Sequence, residues 1–236
     1  MNTSISRCLK EEFKAYEKIG ENRYMLSWGV EPEVERVSVY DEETGEHTFT
    51  GEVLETDYCT YESGVYNDAL SVERVVAAVR KSAKREVKIS EWKALFDGMG
   101  IADDEQLPML KKLKTEELMA YDNSSDVNDC IIVYQGEELH YWASKTERND
   151  LKNAVRDCIS MGRETYRLDL RDKGISITLL CELLLQMMAA LEVYAIECFN
   201  KTTDHDYAIN ASDGSDAVVA YEFRGVGYPE KLRFEV

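Results

Sequence analysis

The sequence contains few of the residues that metal sites, disulfide frameworks and disordered tracts require. Only three histidines and three prolines occur among its 236 residues, and none of its six cysteines stands in CxxC spacing. The signatures GxSxG, HExxH and GxGxxG and the Walker glycine-lysine motif are also absent. These absences disfavour a zinc site and the commonest enzyme classes, and they predict cysteines that are free and reduced.

Positive charge is also scarce. The chain has 46 acidic residues against 28 lysines and arginines, which gives a formal net charge of −18. A polyanion repels a phosphate backbone, so direct binding of nucleic acid is not expected. Three explanations of the charge stay open: a solvated surface, a basic protein partner, or mimicry of DNA.

One apolar stretch, residues 181–199, is about as long as a bilayer is thick. It contains Glu182, Glu192 and Glu197, and a carboxylate costs roughly 2.5 to 3.5 kcal/mol in the centre of a membrane helix. We therefore expect a core helix and no membrane association. The first residues lack the apolar core of a secretory signal, which predicts synthesis in a cytoplasm.

The first half predicts a small antiparallel sheet with one or two helices over residues 1–100. Residues 23–61 alternate apolar and polar side chains as four short strands, with a polar turn at 41–45. SVERVVAAVRKSA predicts an amphipathic helix capped by Ser71, and KISEWKALFDGMG predicts a second one capped by Ser90. The charged segment 101–119 predicts a connecting helix.

The second half reads as a repeated unit. A hairpin turn at Gln135-Gly136 is followed by a helix that opens with a capping box at Ser144. A second hairpin, turning at 172–174, is followed by the apolar helix. We therefore predict that residues 120–211 form a duplicated β-hairpin-plus-helix module, in which a four-stranded antiparallel sheet is covered by two helices. Residues 212–236 are predicted to be a tail with a terminal strand, KLRFEV, and the fold class is α+β.

Four segments of the second half carry a resemblance to a known family: AYDNSSDVN, HYWASKTERNDL, ALEVYAIECFN and GYPEKL. They resemble a domain of unknown function in proteins encoded by bacteriophages and prophages, notably of gut Bacteroidales, often near tail or tail-fibre genes. The SVERVVAAV helix is similar to the usual N-terminal companion of that domain. The resemblance implies a phage setting, with synthesis in the cytoplasm of a bacterial host and the virion as a second location. No catalytic residue comes with it.

The sequence predicts no catalytic residue and no cofactor. The only candidate metal ligands are Asp204, His205 and Asp206, which are expected first as a solvated loop after the helix. The apolar face of the helix that begins near residue 181 is wider than the apolar face of its counterpart in the first repeat. The tail can add a strand to the sheet of a neighbouring protein. The interface candidates are therefore Leu184, Met187, Met188, Leu191, Tyr194, Phe199, Leu232 and Phe234.

These observations predict a non-enzymatic bacteriophage or prophage protein that is structural or assists assembly. Its expected partners are other tail or virion proteins, with a homo-oligomer as a further option. Two alternatives stay open. One is an acidic inhibitor that imitates DNA and blocks a host defence enzyme, although acids and bases alternate in segments such as SKTERNDLKNAVRD. The other is an enzyme with an unfamiliar site.

Overall fold

The computed structural model describes residues 1–40, 47–68, 70–170 and 174–236, and it confirms the predicted α+β class. The chain divides into two compact units. The first unit comprises Met1–Lys114 and Ser212–Ala220, and the second comprises Thr115–Ala211 and Tyr221–Val236. The boundary between the units differs from the predicted one. It falls inside the helix Asp103–Asp122, and Ser212–Ala220 of the predicted tail belong to the first unit.

The first unit is built on one antiparallel sheet. Its strands are β1 (Thr3–Leu9), β2 (Tyr16–Gly20), β3 (Arg23–Tyr40) and β4 (His47–Tyr66), in the order β1-β4-β3-β2, and a 3-10 turn, Lys10–Glu12, follows β1. The prediction of four short strands between residues 23 and 61 was wrong. Two long strands take their place, because the chain continues through β-bulges where strand ends were expected. The turn predicted at 41–45 lies outside the described residues.

Helices cover one face of this sheet. They are α1 (Val72–Ser82), α2 (Ile89–Gly98), the start of α3 (Asp103–Asp122) and the short α6 (Ser215–Ala220). Ser71 caps α1 as predicted, with its hydroxyl accepting from the amide of Arg74 at 3.3 Å. Ser90 does not cap α2. That helix begins at Ile89, one residue before Ser90, and the carboxylate of Glu91 accepts from the amide of Lys88 at 3.0 Å.

A β-bulge lies where the long hairpin leaves the core. The register shifts between Trp28 and Glu31, so Gly29 and Val30 of β3 face a single residue of β4. Gly29 has φ +62°, a left-handed conformation that glycine adopts without strain. The amides of Gly29 and Val30 donate to Glu91 at 3.1 and 2.7 Å. A carboxylate of α2 therefore satisfies the two donors that the bulge exposes.

A second buried carboxylate, Glu62, lies beside the bulge. Its Oε2 accepts from the indole of Trp28 at 3.0 Å and from the amides of Lys84 and Arg85 at 2.8 and 3.1 Å. Burial raises the pKa of Glu62, but these hydrogen bonds to the ionised form outweigh it, and the pKa lies below the ordinary 4.5. The link between α1 and α2 is thus fixed to the sheet by one charge.

The second unit contains the two predicted hairpin-plus-helix repeats. The first is β5 (Cys130–Tyr134), β6 (Glu137–Tyr141) and α4 (Lys145–Ser160), and the second is β7 (Thr165–Leu170), β8 (Ile175–Leu180) and α5 (Cys181–Ala211). Gln135 and Gly136 both have positive φ, as a two-residue hairpin turn requires. The capping box at Ser144 is confirmed. Of the predicted second turn, residues 172 and 173 lie outside the described residues.

The predicted four-stranded sheet was wrong. The hairpins form two separate sheets, one in the order β6-β5-β9 and one of β7 and β8 alone. The terminal strand β9 (Arg233–Glu235) pairs in parallel with the edge of β5 that is not used by β6. Both sheets nevertheless contribute to one core, in which Ile132, Leu168 and Ile177 contact α4 and α5.

The apolar stretch at 181–199 is part of α5, which is longer than predicted and runs to Ala211. Arg148 of α4 donates to Glu192 of α5 at 3.0 Å and to the carbonyl of Ala143 at 2.6 Å. The glutamates of the stretch are thus compatible with a helix that packs on one side. Among the described residues, no helix combines the length and apolar character that a membrane crossing demands.

We expect the substitution Glu62→Leu to lower the free energy of unfolding of the first unit by about 3 kcal/mol or more, because three donors lose their acceptor at ~1–3 kcal/mol each. Urea unfolding followed by tryptophan fluorescence in a Trp142→Phe background measures it, since Trp28 and Trp92 then report on the first unit. The control Glu52→Leu, an exposed glutamate of the same strand, should change stability by no more than ~0.5 kcal/mol. Equal losses in both variants would contradict the assigned role.

The lowered pKa of Glu62 also predicts a pH dependence. A group whose pKa is depressed by folding contributes stability above its unfolded value, near 4.5, and loses it as the pH falls through the folded value. The variant Glu62→Gln has no such group. The difference in free energy of unfolding between the wild type and Glu62→Gln should therefore be constant near pH 7 and shrink below about pH 4.5. Urea titrations at several pH values measure it, and a difference that grows on acidification would refute the assignment.

Candidate functional site

Five of the predicted interface residues lie inside the second unit. Leu184, Met187, Met188, Leu191 and Tyr194 are each at most 4% exposed and face its two sheets and neighbouring loops. They are therefore core residues. The apolar face of α5 was read as too wide for one sheet, but two sheets and the C-terminal segment cover most of it.

The remaining interface candidates differ among themselves. Leu232 and Phe234 are half-buried against the core of the second unit, because β9 pairs with this chain's own β5. In this structure the terminal strand is thus already paired. Phe199 is 65% exposed, and Val193 and Ile196 on the same helix are also exposed. Phe199 alone among the eight remains on a free surface.

The three candidate metal ligands lie in the last turns of α5, and the solvated loop expected there was wrong. His205 is buried, and its two ring nitrogens contact the hydroxyl of Tyr221 at 2.7 Å and the carbonyl of Val226 at 2.9 Å. Asp206 accepts from Thr115 at 2.9 Å, and Asp204 is exposed. Across the described residues, no group of three or more potential ligands converges on a metal position.

The outer part of the long hairpin is a long exposed element, which the sequence analysis did not identify. We name residues 31–40 of β3 and 47–58 of β4 the β-arm. None of these residues is buried. Six large apolar side chains of the β-arm are between 50% and 63% exposed: Val34, Val39, Tyr40, Phe49, Val53 and Leu54. A two-stranded ribbon with so little covered surface is marginally stable in water, so it is suited to binding a partner.

Apart from the contact of Leu9 with Tyr58 at its base, the β-arm has no other described strand beside it. β1 pairs with β4 only as far as Leu9, opposite Tyr58, and β2 pairs with β3 only as far as Tyr16, opposite Leu26. Both outer edges of the ribbon therefore present amide and carbonyl groups that no described strand uses. Exposed edges of this kind pair readily with another chain.

Charge is concentrated in the same segment. Between residues 31 and 57 the sequence has ten acidic residues and one arginine, a net −9 that is half of the chain's total of −18. The expectation that acids are interspersed with bases along the whole chain was therefore wrong for this segment. A count of charges in a sliding window would have found it.

Among the described residues, three basic side chains from outside the β-arm form ion pairs with its acids. Arg7 pairs with Glu33 at 2.7 Å, Lys10 with Glu55 at 2.9 Å, and Arg85 with Glu31 at 3.1 Å. These exposed pairs each contribute little to stability. They do orient the first residues of the ribbon, and they leave its outer acids to the solvent or to a partner.

Comparison with known proteins identifies no relative. No family model, no curated protein and no solved structure matches the chain. What the β-arm does must therefore be inferred from its chemistry. Apolar side chains, free strand edges and carboxylates together suit contact with a basic protein surface.

Removal of the β-arm should not destabilise the first unit. Val34 and Glu55 are paired directly across the hairpin, so replacing residues 35–54 by Asn-Gly would close it with a favoured two-residue turn. Because none of the described side chains in this range is buried, the free energy of unfolding should change by no more than ~1 kcal/mol. Urea unfolding in the Trp142→Phe background measures it, and a larger loss would show that the β-arm is structural.

Proposed function

We propose that the chain is a non-enzymatic binding protein that uses the β-arm to hold a basic partner protein during assembly of a bacteriophage or prophage tail. One observation carries the binding role: six exposed large apolar side chains, six acidic residues and a single arginine lie on a ribbon that no described strand covers beyond Tyr58. The phage setting is supported by the resemblance of the four C-terminal segments.

The chemistry of the β-arm favours a different protein over a second copy of the chain. Two β-arms would bring their acids together, and like charges that face each other across an interface are unfavourable. A partner with lysines and arginines around an apolar patch would match both features. Its attraction would be steered by charge and weakened by salt, because the acids of the β-arm are exposed.

Complementation in the phage or prophage that encodes the chain tests this proposal. We expect a deletion to lower the yield of infectious particles, and the wild-type gene to restore it. The double variant Phe49→Thr and Leu54→Thr should fail to restore it and should bind the co-purifying tail protein about ten- to a hundredfold more weakly, because central apolar contacts contribute most to binding. Threonine keeps the strand propensity of both positions.

The matched control is the double variant Ile5→Thr and Ile19→Thr. It also removes two exposed apolar residues of the same sheet, from β1 and β2 outside the β-arm. This control should complement as the wild type does. Normal infectivity of the deletion phage, together with absence of the protein from particles and assembly intermediates, would refute the proposal.

The concentrated charge also favours a second candidate, an inhibitor that imitates DNA. A ribbon of ten residues per strand extends about 33 Å, enough to present a row of carboxylates to a DNA-binding cleft. This candidate predicts that a DNA oligonucleotide displaces the partner and that the Phe49→Thr and Leu54→Thr variant still binds. The assembly role predicts the opposite in both measurements.

A further inference from the structure

The second unit contains two strand edges that face one groove. β6 is the outer strand of its sheet, and β7 pairs only with β8. A cavity of about 560 Å³ is lined by the end of β6, the first half of α4 and β7. We name it the β6–β7 groove.

The lining residues show that the groove runs along the edges of the two strands. His140 and Tyr141 are neighbours on β6, so their side chains point to opposite faces, yet both line the groove. The same holds for Leu168 and Asp169 on β7. A cavity that meets both faces of a strand lies beside its edge. Since β5 and β8 occupy the other edges, the free edges of β6 and β7 border the groove.

The floor of the groove is apolar and its rim is acidic. Leu151 and Ala154, one turn apart on α4, lie below the gap between the strands, and Glu147 and Asp150 lie on the same helix. No lysine or arginine is among the lining residues of this described cavity. Asp169 is partly neutralised by Arg167 at 2.7 Å, so the carboxylates of α4 carry most of the charge.

We propose that the β6–β7 groove binds an extended segment of a partner protein whose side chains that point toward α4 are alternately small and apolar, and lysine or arginine. The segment pairs with β6 on one side and with β7 on the other, which joins the two sheets into one with the order β9-β5-β6-segment-β7-β8. On the face that points toward α4, the apolar side chains contact Leu151 and Ala154 and the basic side chains contact Glu147 and Asp150.

The charges argue against a second copy of this chain as the occupant. The exposed strands that a copy could insert are those of the β-arm, which contains six acids and one arginine. These acids would meet Glu147 and Asp150 at the groove. The groove proposal is independent of the proposed function, because it concerns another unit and another surface.

A synthetic peptide of the sequence Val-Val-Lys-Lys-Val-Val-Lys is the probe, because valine and lysine then alternate on each of its faces. We expect it to bind the full chain, to shift the backbone amide resonances of β6 and β7, and to slow hydrogen exchange along both edges. Two N-methylated versions test the geometry, one methylated at the odd-numbered positions and one at the even-numbered positions. Successive amides of a strand point to opposite edges, so both versions should lose binding if both edges pair.

Variants of α4 test the location. Ala154→Trp fills the floor of the groove and should weaken peptide binding by about tenfold or more, a change of ~1.4 kcal/mol. Asn153→Trp places the same side chain on the neighbouring, exposed position of the helix and should leave the affinity unchanged. Asp150→Lys should weaken binding, and a glutamate-valine peptide should not bind.

Several results would overturn the proposal. They are the absence of peptide binding at millimolar concentration, resonance shifts confined to the β-arm, and retained binding by either methylated peptide. Self-association of the chain that Ala154→Trp abolishes would identify a second copy as the occupant and would also overturn it. Shifts confined to the β-arm would leave the proposed function standing, so the two failures are distinguishable.

Discussion

The β-arm depends on how two buried carboxylates satisfy backbone donors at its root. The bulge at Gly29 and Val30 removes two amides from the pairing of β3 with β4, and Glu91 accepts from both. Glu62 holds the indole of Trp28, one residue before the bulge, and two amides of the segment after α1. An unsatisfied buried amide costs ~1–3 kcal/mol, so these contacts fix where the ribbon leaves the core.

A root fixed in this way allows the rest of the ribbon to remain uncovered. The arm contributes little to the core, and its apolar side chains are not used for folding. Its acids have a second consequence, because charges on an exposed strand discourage pairing with an identical strand. Apolar side chains alone would favour self-association, and acids alone would favour solvation. Their combination selects for a partner of opposite charge.

The sequence predicted the elements whose signals are local. The helix with Val72, Val75, Val76 and Val79, the capping box at Ser144 and the turn at Gln135 each depend on residues within four positions of one another, and all three were confirmed. The continuity of β3 and β4 was missed, because a bulge and a strand end interrupt the alternation of side chains in the same way.

The pairing of strands distant in sequence was also missed, for a different reason. β9 joins β5 from about a hundred residues away, and alternation within a strand does not specify its neighbour. The β-arm could have been found from its charge, but its exposure follows from where β1 and β2 end, which periodicity does not indicate.

The repeated hairpins also show why a repeat need not form a continuous sheet. Each hairpin buries one face against α4 and α5, and that burial is complete without any pairing between β6 and β7, since Leu139, Leu168, Leu170 and Ile177 are all buried. The hydrophobic core is therefore satisfied while backbone groups at two edges remain available. Backbone hydrogen bonding and apolar burial are thus separate requirements in this unit. A strand from another protein could pair with the free backbone groups of β6 and β7 without disturbing the hydrophobic core.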